Sequence, residues 1–137
     1  MAVDDAETMD EHRDLVAQRV VLVAEDNEVN FELVSAMLER DGFSIRWARD
    51  GDEAIAAVAS SYLDLLILDL HLPRLSGLDV LHSVRADPAT HDLPVLVLTA
   101  DAMAGTRDAV LAEGASEYMT KPFDLNAFRA AVARIMA

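Results

Sequence analysis

The chain has 137 residues, 53% of them hydrophobic, no cysteine, and a formal net charge of −14 from 11 basic and 25 acidic residues. That length and apolar content suit one globular domain and exclude a disulfide framework or thiolate chemistry. The acidic excess argues against direct nucleic-acid binding, which needs Lys and Arg to neutralise phosphates, and no apolar run approaches the roughly 18 residues of a membrane span.

Residues 1–18 carry Asp4, Asp5, Glu7, Asp10, Glu11 and Asp14 among few large apolar residues. They read as an acidic flexible tail with none of the marks of a signal peptide, and a cytoplasmic protein is the simplest expectation. From Arg19 onward short apolar runs alternate with amphipathic stretches. Val20 to Ala24 is a β-branched run expected as a strand buried on both faces. Glu28 to Arg40 has helical periodicity, with Leu33, Val34 and Met37 as its expected inner face, and Asp41-Gly42 closes it. Phe43 to Trp47 is the second predicted strand, and Asp50-Gly51 turns into a helix through Ile55 and Val58.

Leu65 to Leu68 is the third strand and ends at Asp69. Ser76 to Arg85 follows as a helix anchored by Leu78, Leu81 and Val84. Pro94 to Leu98 is the fourth strand, Ala104 to Glu113 a helix stopped by Gly114, and Glu117 to Met119 a short fifth strand. Asp124 is placed to cap a last helix carrying Leu125, Phe128, Val132 and Ile135. Five successive β-α units imply a parallel sheet with helices on both faces. Ligands of such sheets sit beyond the carboxyl ends of the strands.

That rule gathers Glu25 and Asp26 after the first strand, Asp69 after the third, Thr99 after the fourth and Lys121-Pro122 after the fifth. Each position alone has an ordinary explanation: Glu25-Asp26 and Thr99 as helix caps, Asp69 and Lys121-Pro122 as turn residues. Together at the ends of the right strands they make a chemical set. Carboxylate oxygens are hard ligands for Mg²⁺. An aspartate can attack phosphorus to form an acyl phosphate. An ammonium and a hydroxyl can stabilise the phosphoryl oxygens. The histidines His12, His71, His82 and His91 show no zinc spacing.

The segments VVLVAEDNEVN, ARDGDEAI, LLILDLHLPRLSG, LPVLVLTA and EYMTKPF resemble the receiver domain of two-component response regulators, over about Arg19 to Ala137. The resemblance implies a flavodoxin-like, doubly wound (βα)5 fold with a parallel sheet ordered 2-1-3-4-5. It implies a signalling phosphoacceptor rather than an enzyme, limited to self-phosphorylation and slow autodephosphorylation. Asp69 matches the family's phosphoacceptor, Thr99 its hydroxyl residue and Lys121 its lysine, followed by Pro122 after a peptide bond that is usually cis. Glu25, Asp26, Asp69 and the backbone carbonyl of His71 match the Mg²⁺ ligands. Thr99 and Tyr118 match the switch pair, although an aromatic on a short strand is equally explained by packing. His71 and Asp101 occupy positions expected to tune phosphate lifetime. Leu72 stands where methionine is common, a difference of packing.

Phe31, Pro122 and Phe123 fall where the family docks its phosphodonor, and partial burial against the first helix is the competing reading for Phe31. The implied partners are a histidine kinase or histidine phosphotransfer protein and a downstream protein target, with no nucleic acid and no membrane. A monomer or weak homodimer is expected. The EDN triplet is most like stand-alone and hybrid-kinase receivers, so a single-domain regulator in a two-component phosphorelay is expected, with residues 19–137 as its receiver. An aspartyl phosphatase is disfavoured because His71 stands where some such enzymes need a second aspartate. A dinucleotide fold fails because the first strand lacks a glycine-rich turn. A scaffold that is never phosphorylated would normally have lost one of the five site residues.

Overall fold

The computed structural model describes residues 19–100 and 105–137. The acidic segment 1–18 and Asp101 lie outside those residues. Five strands and five helices alternate: β1 (Val20–Ala24), α1 (Glu28–Arg40), β2 (Ser44–Ala48), α2 (Gly51–Ser60), β3 (Leu65–Leu68), α3 (Gly77–Ala86), β4 (Val95–Thr99), α4 (Thr106–Ala112), β5 (Glu117–Thr120) and α5 (Leu125–Met136). All strand pairs are parallel and the order is β2-β1-β3-β4-β5, as expected. β1 and β3 have the expected bounds, β2 and β4 lie one residue later than expected, and β5 runs one residue further, to Thr120.

Side chains alternate across a strand, and here each alternate set feeds a different core. Leu22, Leu66, Leu68, Val95 and Val97 pack with Val58, Val80, Leu81, Val84 and Val110 on one face of the sheet. Val21, Val23, Leu65, Ile67, Leu96 and Leu98 pack with Val34, Met37, Leu38 and Phe128 on the other. β1, β3 and β4 are thus buried on both faces, which is why they read as unbroken apolar runs.

Three expected anchors are not core residues. Leu33 is 50% exposed, Leu78 36% and Leu125 48%. In α1 the buried stripe is Val34, Met37 and Leu38, and Leu33 stands one helical step, about 100°, off it. In α3 the stripe is Gly77, Val80, Leu81 and Val84, which again turns its neighbour Leu78 outward. Leu125 shares the stripe of Phe128 and Val132 but stands in the first turn of α5. Leu72 is buried in the first core, consistent with a packing role.

Caps separate structural residues from those left for chemistry. Asn27, not Glu25 or Asp26, caps α1 by accepting from the Asn30 amide at 3.0 Å. Asp124 caps α5 by accepting from Ala127. Ser76 and Asp79 form a reciprocal capping box on α3. Gly105, not Thr99, precedes α4 as its cap residue. The ends of β1 and β4 are therefore not committed to capping.

The loop after β3 is clasped from two sides. The Gly51 amide donates to the Pro73 carbonyl at 3.2 Å, and the Gly77 amide to the Leu70 carbonyl at 2.9 Å. Arg74, at a φ of 71°, donates to Asp52 at 2.7 Å. The clasp fixes the strand end that carries Asp69.

Candidate functional site

β1 and β3 are neighbours at the point where the strand order reverses, so their carboxyl ends open the crevice in which such folds bind ligands. The Glu25 amide donates to the Ala48 carbonyl at 3.0 Å, and the Asp69 amide to the Ala24 carbonyl at 3.1 Å. These bonds continue the sheet one residue past each strand and set Glu25 and Asp69 side by side. A carboxylate oxygen from each of Glu25, Asp26 and Asp69 lies within 4.8 Å of the others. Glu25 and Asp69 are buried, at 5% and 8% exposure, while Asp26 is exposed.

Lys121 reaches this cluster from the end of β5. Its Nζ donates to Glu25 Oε1 at 2.5 Å and to Asp69 Oδ2 at 2.9 Å. Its backbone amide donates to the Thr99 carbonyl at 2.8 Å, which ties the lysine to the end of β4, where Thr99 is fully buried. The Lys121-Pro122 peptide is cis, as the resemblance implied. The second Asp69 oxygen, Oδ1, accepts from the His71 amide at 2.9 Å. Glu25 Oε2 likewise accepts from the Asn27 amide at 3.1 Å.

Two buried carboxylates thus share one ammonium in a partly dry crevice, with the exposed Asp26 carboxylate beside them. Burial raises the Glu25 carboxyl above its usual value, opposed in part by the hydrogen bond from Lys121. Burial also acts to lower Lys121, but hydrogen bonds to Glu25 and Asp69 outweigh it and hold the ammonium above its ordinary value. The donor set is all oxygen and has an excess of negative charge, which suits a small hard dication.

Lys121→Met should therefore destabilise the Mg²⁺-free protein by about 2 kcal/mol near neutral pH, because two buried carboxylates lose their cation. The loss should depend on pH with a definite sign. Glu25 has a folded pKa above its unfolded value near 4.5, so its favourable contribution is full below that value and fades as pH rises through the folded one. Removing the lysine pushes the folded value higher still. The gap between variant and parent in urea midpoint should open as pH rises from 4.5, and a constant gap would contradict this account.

The structure brings Glu25, Asp26, Asp69, Thr99 and Lys121 to one edge, as the strand-end reading expected. His71 is exposed, and its amide faces Asp69. Tyr118 is half-buried against the first core. Phe123 is half-buried and tilted against Phe128 at 5.2 Å, whereas Pro122 is exposed. Pro122 and Phe123 line a cavity of about 430 Å³ with Asn30, Leu33, Val34, Ala100 and Lys121. Phe31 does not line it. Its ring stacks on Trp47, 4.2 Å between centroids and 5° from parallel. Trp47 went unremarked in the sequence as a site neighbour. Its indole N–H donates to the Glu25 carbonyl at 2.7 Å, and nothing in the local pattern of β2 signals that reach.

Fold and site together define a flavodoxin-like α/β module with an acidic cluster and a lysine at the switch point of its sheet. Residues 21–133 match the response regulator receiver domain family, and the chain belongs to that family. Among curated relatives it is 45% identical over 105 residues to the Probable transcriptional regulatory protein TcrX of Mycobacterium tuberculosis, covering 77% of this chain and 44% of that one. It is 41% identical over 112 residues to the response regulator protein PmrA of Pseudomonas aeruginosa, covering 82% and 50%. Among solved structures it superposes on the receiver domain of the sensor histidine kinase PA1611 of P. aeruginosa, described with a magnesium ion in its active-site cleft. That match has a TM-score of 0.80 and 29% identity, covering 87% of this chain and 98% of that one. The non-phosphorylated HemR receiver domain of Leptospira biflexa matches with a TM-score of 0.80 and 33% identity, covering 88% and 95%.

The chain spans about half the length of the curated relatives it matches. A single-domain regulator is therefore not shown by these relatives. The absence of nucleic-acid partners does not extend to proteins of their kind, one of which is named as a transcriptional regulator. The acidic surface argues only about the receiver residues themselves. Among the described residues no helix is long and apolar enough to cross a membrane.

Proposed function

We propose that this receiver accepts a phosphoryl group on Asp69 from a phosphohistidine of a histidine kinase or phosphotransfer protein, and that the modified site changes a protein-binding surface. The observation that supports the reading most directly is the environment of the Asp69 carboxylate. One oxygen is held by the His71 amide and the other by the Lys121 ammonium, beside two further carboxylates. An Asp69 oxygen attacks phosphorus, a P–O bond forms, and the P–N bond to the donor imidazole breaks. Lys121 then follows the negative charge from the carboxylate to the phosphoryl oxygens, and the Thr99 hydroxyl donates to one of them.

Glu25, Asp26, Asp69 and the His71 carbonyl are the proposed holders of Mg²⁺. When bound, the ion supplies positive charge to the phosphoryl oxygens. Phe123 and Pro122, beside the exposed Leu33 of α1, are the proposed docking contacts for the donor. Phe31, committed to its stack with Trp47, supports that face from its edge. Thr99 and Tyr118 are the proposed switch pair.

Acetyl phosphate with Mg²⁺ should add one phosphoryl group, and fragmentation should place it on the peptide containing Asp69. Millimolar Mg²⁺ alone should raise the melting temperature, since the ion binds the folded site and not the unfolded chain. A label on another residue, or melting indifferent to Mg²⁺, would overturn the reading.

A further inference from the structure

Trp47 is the chain's one tryptophan, and its surroundings are those of a fixed part. The Phe31 ring lies flat against it, 4.2 Å between centroids, and the Arg49 guanidinium carbon sits 4.2 Å from its centroid. A stacked ring and a nearby cation restrict rotation of the indole about its side-chain bonds and favour one direction for its N–H. That N–H meets the Glu25 carbonyl at 2.7 Å.

The Glu25 carbonyl belongs to the peptide that joins Glu25 to Asp26. A peptide unit is planar, so holding its oxygen sets where the Asp26 nitrogen and Cα point. The preceding peptide is already held by the bond from the Glu25 amide to Ala48. β2 therefore grips the Glu25 backbone on both sides, once through its main chain and once through Trp47. Asp26, by contrast, is exposed and lies beyond the last ladder bond. We propose that Trp47 is a positioning residue for the acidic pair, holding the Glu25–Asp26 peptide so that the Asp26 carboxylate is pre-set for a divalent cation. This rests on the reading of Glu25, Asp26 and Asp69 as cation ligands.

Trp47→Phe keeps a flat ring beside Phe31 and Arg49 and deletes the donor. Calorimetric titration of the full chain with Mg²⁺ should show binding weaker than in the parent by up to about fivefold, the ceiling set by one net hydrogen bond. In the ¹⁵N-labelled parent the single indole N–H resonance should move on Mg²⁺ addition, with the midpoint found by calorimetry. Parent-like affinity in Trp47→Phe would overturn the positioning role alone, as would an indole resonance unmoved at saturation. Failure of the parent to bind Mg²⁺ would overturn the cation-site reading and this role with it. Should Trp47→Phe not fold, the resonance of the parent decides.

Discussion

Asp69→Asn should take up no phosphoryl group from acetyl phosphate or a phosphohistidine donor, and it should melt higher than the parent. The amide has the shape of the carboxylate, and its oxygen can still accept from the His71 amide. It lacks the anionic oxygen that attacks phosphorus, so labelling should vanish rather than slow. The stability gain comes from the charge balance of the crevice. Glu25 and Asp69 are buried next to each other and share Lys121. The charge on Asp69 is among the causes that raise Glu25. Neutralising one of the two carboxylates leaves a closely paired Glu25–Lys121 and removes their repulsion. A gain of about 1 kcal/mol is expected, the common cost of a site kept strained for function, or roughly 3 °C in melting temperature. The rise in melting temperature with Mg²⁺ should shrink in the same variant, because one ligand is gone. A variant that melts lower would mean that the Lys121–Asp69 attraction exceeds the Glu25–Asp69 repulsion in the metal-free protein.

The elements of this fold were legible because β1, β3 and β4 are buried on both faces and so carry unbroken aliphatic runs. The strand-end rule then sufficed to bring Glu25, Asp26, Asp69, Thr99 and Lys121 together, since the topology does that work without side-chain detail. Two things were not legible. Which leucines face inward depends on the angular phase of each helix against the sheet, and Leu33 and Leu78 are one helical step outside stripes that Leu38 and Gly77 complete. Contacts that cross between elements also leave no local trace. Phe31 and Trp47 are sixteen positions apart on different elements, and their stack follows from the parallel register that sets Trp47 opposite Val23. Gly77 is the same kind of case: in the sequence it is one small residue ahead of a helix, and in the structure it touches the backbone of Asp69.

Gly77→Ala should be among the most damaging single substitutions in the chain, although alanine favours a helix interior by roughly 1 kcal/mol over glycine. Gly77 is not at a positive φ, so conformational freedom is not the reason. A Cβ there would lie 2.2 Å from the Asp69 carbonyl oxygen and 2.6 Å from the Leu70 Cα. Both are backbone atoms that no rotamer change can move. Either α3 withdraws, breaking the Gly77–Leu70 bond and the packing of Val80 and Leu81, or the end of β3 shifts and carries Asp69 with it. A loss of about 3 kcal/mol or more is expected, near 10 °C in melting temperature. Phosphoryl uptake should fall in whatever fraction stays folded. Gly42→Ala is the matching control. Gly42 has a φ of +94° but nothing within 4 Å of an added Cβ, so it should cost only about 1 kcal/mol of backbone strain and leave phosphorylation untouched. Equal costs at the two glycines would mean that the approach of α3 to Asp69 is not the tight contact that holds the phosphoacceptor strand in place.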